Sequence, residues 1–84
     1  MRYAVEVLRS AQKQLERVPR DRQEQILSVL AALADVPRPE GSMKLAGREA
    51  WRIRVGDYRI VYEIRDERRV VIVVVVAHRK DAYR

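Results

Sequence analysis

The chain has 84 residues, enough for one domain (residues 1–84) and no second module. With 48% hydrophobic and 36% charged residues and only three Gly and three Pro, it reads as a packed domain, not a disordered segment. The absence of Cys and a single His exclude disulfides and thiolate or histidine-based zinc sites, so no metal or other cofactor is expected. The longest apolar run, Val70 to Ala77, falls far short of the ~20 residues of a membrane span, and no signal-like run opens the chain. A cytoplasmic protein without a membrane partner is expected. Net charge is +6, and fifteen of the eighteen basic residues are Arg, whose forked donors suit phosphates. Residues 41–84 carry +5 of that charge, so a basic surface belongs to the second half. A solvated surface with no partner accounts for the charge alone equally well.

Tyr3, Val5 and Val7 alternate with Ala4, Glu6 and Leu8, the period of a first strand. Ser10 offers an N-cap for a short helix whose apolar stripe is Ala11, Leu15 and Val18. Pro19 interrupts it, having no N–H to donate. Asp21 and Glu24 have capping-box spacing for a second helix, with Ile26, Leu27, Leu30, Leu33 and Ala34 as a wider stripe that Pro37 and Pro39 end. The helical hairpin resembles a DNA-reading helix-turn-helix, but its second helix is not basic enough for that role. Residues 37–49 read as a loop.

From Trp51 the period becomes two. Gly56-Asp57 lies between alternating runs and sets a tight hairpin, in which Val55 faces Tyr58, Arg54 faces Arg59, Ile53 faces Ile60, Arg52 faces Val61 and Trp51 faces Tyr62. One face is then apolar and receives the helices; the other carries Arg52, Arg54 and Arg59. The run from Val70 to Ala77 is apolar on both faces and reads as an interior strand, with Val71, Val73 and Val75 looking outward and Arg79 continuing on the Arg59 side. The fold class is α+β: an N-terminal strand and a two-helix hairpin packed on a mainly antiparallel sheet.

Arginines on one sheet face, followed by a terminal Tyr, form an anion-binding cleft without a metal, a nucleotide loop or a carboxylate pair. RNA cleavage fits that inventory, because the ribose 2′-OH is its own nucleophile and the protein need only align it and stabilise charge. Lys44-Leu45, the block Trp51-Arg52-Ile53-Arg54-Val55-Gly56-Asp57-Tyr58-Arg59-Ile60-Val61-Tyr62 and the ending His78-Arg79-Lys80-Asp81-Ala82-Tyr83-Arg84 resemble the RelE/ParE superfamily of type II toxins, with an ending like the RelE branch. The resemblance covers nearly the whole chain. It implies the RelE-like fold and a metal-independent endoribonuclease that cuts mRNA in the ribosomal A site and inhibits translation, held inactive by a cognate antitoxin in a toxin–antitoxin complex such as a heterotetramer.

By the same resemblance Arg59 holds the phosphate, Arg79 serves the scissile phosphate or leaving oxygen, and Tyr83 stacks on or orients the nucleotide. Arg52, Arg54, Lys44 and Lys80 are expected to contact RNA. Arg52 and Arg54 stand where the best-studied RelE type has lysines, and a guanidinium is a poor base, so proton transfer would pass to Tyr83 or water. Val61, Val71, Val73 and Val75 are expected to form an apolar patch beside the arginines that an antitoxin covers. Trp51 falls on the apolar face, and His78 opposite Arg79, where packing and a structural hydrogen bond are expected. Two other readings stay open: a ParE-like DNA gyrase inhibitor, and a non-catalytic module binding nucleic acid or protein.

Overall fold

The computed structural model describes residues 2–80. In chain order these form β1 (Ala4–Val7), α1 (Arg9–Glu16), α2 (Arg20–Leu33), β2 (Met43–Lys44), β3 (Ala50–Val55), β4 (Tyr58–Arg65) and β5 (Val70–His78). The strands make one sheet in the order β1-β5-β4-β3-β2, antiparallel except for the parallel β1–β5 pair. β5 is therefore interior, as its two-faced apolar character requires. Both helices lie on one face: Ala11, Val18, Ile26, Leu30 and Leu33 share a core with Val55, Ile60, Tyr62, Val71, Val73 and Val76. Leu27 departs from the expected stripe and is half exposed.

The hairpin register is the one that the Gly56-Asp57 turn dictates, down to Trp51 opposite Tyr62. Gly56 has φ of 59° and Asp57 is not left-handed, the pattern of a two-residue turn with glycine first, in which Gly-X is the favoured order. The capping expectations need correction. Leu8 still donates its N–H to Val73 O at 3.0 Å, so the chain turns straight from sheet pairing into α1, and Ser10 falls inside the helix. Pro19 occupies the N-cap of α2, which puts Asp21 in the first turn with no side-chain cap. There its charge still faces the positive end of the helix dipole. The turn between the helices is tied instead by Gln23 Nε2, which donates to Val18 O at 2.8 Å.

β1 pairs with β5 only as far as Val73. Beyond that point α1 covers the strand, and Gln14 Oε1 accepts the Val76 N–H at 2.7 Å, a side chain satisfying an otherwise open edge. At the other end of the sheet Arg38 grips Asp66 with two hydrogen bonds, of 3.2 and 2.8 Å, and lays its guanidinium over Trp51 at 5.3 Å. The Tyr3 hydroxyl donates to the same carboxylate at 2.7 Å. Trp51 is thereby occupied on the side away from the arginine face, in keeping with a packing role.

The largest departure lies within β5. Val61 faces Val75 and Tyr62 faces Val73, so Val74 is unopposed and a bulge breaks the alternation there. Residues after the bulge keep the expected orientation, with Val75 opposite Val61 and Ala77 opposite Arg59. Residues before it are inverted: Val71 and Val73 face the core and are 0% exposed. They do not belong to an outward patch. A single extra residue flips every side chain on one side of it.

Candidate functional site

Alternation on β3 puts Arg52 and Arg54 on the face away from the helices, and the hairpin sets Arg59 directly opposite Arg54. Arg59 Nε is shielded from solvent. Desolvation, and then the charges of Arg52 and Arg54, hold the Arg59 guanidinium below its ordinary pKa. It remains a cation at neutral pH, as arginine does in proteins. Arg79 follows β5, its backbone N–H donating to Asp57 O at 2.7 Å and its Nε lying 3.9 Å from Asp57 Oδ1. Glu63, the carboxylate that sequence distance offers to Arg59, is bonded by Arg65 at 2.7 Å.

Among the hollows that these residues border, two meet at Arg59. The smaller, of about 120 Å³, is lined by Arg54, Gly56, Asp57, Tyr58, Arg59 and Arg79. The larger, of about 400 Å³, has Leu45, Val61, Val75 and Ala77 as apolar surface, with Gln14, Arg48, Arg52 and Arg59 around it. The small hollow concentrates three guanidinium groups where a phosphate-sized anion would be held by forked hydrogen bonds. No group of three or more His, Asp or Glu side chains gathers among the described residues.

Of the residues expected at the site, Arg52, Arg54, Arg59 and Arg79 come together. Lys44 does not: it stands opposite Trp51 on the edge strand and pairs with Glu49 at 3.8 Å. Lys80 is exposed beyond β5, where its backbone N–H donates to His78 Nδ1 at 3.2 Å. His78 also meets Tyr58 edge-on at 5.3 Å, which gives it the expected structural role. Tyr83 lies outside the described residues. Val61 and Val75 border the larger hollow, whereas Val71 and Val73 are removed from it by the bulge. Gln14 and Arg48 are not singled out by the sequence, and Leu45 enters there only through the Lys44-Leu45 pair of the resemblance. Of the first two, only Arg48 carries a signal, as a basic residue in the loop before β3.

A small sheet that backs onto a helical hairpin and presents an arginine cleft is the build of the compact toxins of toxin–antitoxin pairs. A family model of the ParE toxin of the type II toxin–antitoxin system parDE matches residues 5–83. The chain belongs to that family, within the RelE/ParE superfamily, and its fold is RelE-like. Among solved structures it is similar to archaeal RelE in the RelE-RelB complex from Pyrococcus horikoshii OT3, at 25% identity and a TM-score of 0.86, covering 96% of this chain and 99% of that one. It is also similar to a mutant E. coli RelE in complex with a peptide of its antitoxin RelB, at 31% identity and a TM-score of 0.79, covering 99% and 92%. The intact E. coli RelBE toxin-antitoxin complex matches at 29% identity and a TM-score of 0.80, covering 90% and 95%. No curated protein matches the chain.

Proposed function

We propose that this type II toxin is a ribosome-dependent endoribonuclease that cuts mRNA in the A site. The observation carrying this reading is the small hollow in which Arg54, Arg59 and Arg79 converge. In the proposed reaction the ribose 2′-OH attacks the adjacent phosphorus, the P–O5′ bond breaks, and a 2′,3′-cyclic phosphate and a 5′-hydroxyl result. Arg59 and Arg54 stabilise the charge that builds on the phosphate oxygens, and Arg79 stabilises the departing 5′ oxygen, which takes a proton from water. The 2′-OH proton passes to Tyr83 or to water, because a guanidinium cannot accept it. Arg52 contacts the flanking backbone.

Several solved relatives are complexes with RelB antitoxins, which supports a protein inhibitor for this chain as well. Its segment is expected to cover Val61 and Val75 with apolar side chains and to neutralise the adjoining arginines with acidic ones. The matched family model bears the ParE name, which favours gyrase inhibition as the second reading. Inducing the toxin and mapping transcript ends separates the two. Cuts in phase with codons are expected; DNA breaks and filamentation with intact transcripts would establish the gyrase reading instead.

A further inference from the structure

Two neighbouring hollows on the arginine face differ in chemistry and share the Arg59 wall. One is small and ringed by guanidinium groups; the other is larger, with Leu45, Val61, Val75 and Ala77 as apolar lining and arginines at the rim. Gln14 reaches the larger hollow from α1 with its amide orientation set, because Oε1 accepts the Val76 N–H at 2.7 Å. What that amide then offers a ligand is the Nε2 pair of donors. Arginine planes, apolar surface and a fixed donor are the features by which proteins hold an unstacked base.

We propose that the larger hollow seats a nucleobase whose own phosphate lies between Arg54, Arg59 and Arg79, and that Gln14 selects bases presenting an acceptor to its Nε2. This rests on the nuclease reading and adds to it a residue that positions and discriminates the substrate. The adjacency fits a nucleotide, which joins a phosphate for the anion hollow to a flat face for the apolar one; the antitoxin proposed above would cover the same surface when the toxin is idle. Leu45 and Arg48 then act as the outer wall, pressing the base against Val75 and Ala77.

Two variants test it. Gln14→Glu keeps an oxygen for the Val76 N–H while removing both donors, and Ala77→Leu fills the hollow from its floor. Each is checked for an unchanged circular-dichroism spectrum and melting profile, then assayed on ribosomes programmed with a library of A-site codons. Gln14→Glu should shift the base preference at one position beside the cut by about fivefold, the worth of one hydrogen bond near 1 kcal/mol. Ala77→Leu should lower cleavage at all codons by about tenfold or more. If wild type cuts and Gln14→Glu shows the same preference and rate, the base seat is wrong and the nuclease reading stands. If both variants cut normally but lose antitoxin binding, the hollow belongs to the antitoxin, which also overturns the base seat. If wild type cuts nothing, both readings fall.

Discussion

Arg59 stands beside Arg52 and Arg54, and desolvation followed by those two charges lowers its pKa. The fold therefore gathers like charges on one patch of the sheet, an arrangement suited to holding an anion. Arg59→Ala should still unfold in one cooperative transition, while cleavage falls by about a hundredfold or more. Arg59→Lys should recover only part of the activity, having charge without the fork. Parallel thermal melts and cleavage assays check this. A variant with full activity would move the phosphate site away from Arg59.

At the scale of elements, legibility follows the strength of the local pattern. The β3–β4 hairpin is readable because one face is apolar, the other carries Arg52, Arg54 and Arg59, and Gly56 marks the turn, so a slipped register would bury charge. β5 has valines on both faces and nothing to announce the bulge at Val74. Extending its alternation from Arg79 is correct back to Val75 and inverted at Val73 and Val71. The helix starts went astray for another reason: pairing of Leu8 with Val73 and the geometry of Pro19 set them, not Ser10 or Asp21. Gln14 enters the site through a contact 62 positions distant in sequence, which no spacing rule reveals. The bulge gives a direct test. Val73→Asp buries a charge in the core and should destabilise the protein by about 3–5 kcal/mol, whereas Val75→Asp, half-exposed, should cost about 1 kcal/mol or less. Val75→Asp should nevertheless weaken antitoxin binding. Equal denaturation midpoints for the two variants would contradict the inverted register.

Over the whole molecule, Asp66 joins three segments distant in sequence: the chain just before β1 through Tyr3, the linker after α2 through Arg38, and the β4–β5 turn that carries it. Hydrogen bonds from Arg38 first and Tyr3 second hold its carboxyl below the ordinary carboxylate value. A depressed folded-state pKa stabilises fully above the unfolded value of about 3.9, and that contribution is lost as pH falls through the folded value. Tyr3 is raised, chiefly by the same hydrogen bond, so its share persists below its unfolded value of about 10 and fades as pH rises through the higher folded one. Asp66→Asn should therefore be less stable than wild type between about pH 5 and 9, with the difference closing below about pH 4. Urea titrations across pH measure that gap, and a constant difference at every pH would show the clamp to be electrostatically inert.

Among the described residues the helices lie on one side of the sheet and the arginine face is on the other, so under the proposed function substrate and antitoxin compete for one surface. The central claim is that this face directs a ribose 2′-OH onto its own phosphate. The most direct measurement is the chemistry of the new ends after purified toxin acts on mRNA in programmed ribosomes. The account predicts a 5′-hydroxyl on one fragment and a 2′,3′-cyclic or 3′-phosphate on the other, within the A-site codon. Intact mRNA, or a 3′-hydroxyl facing a 5′-phosphate, would contradict it.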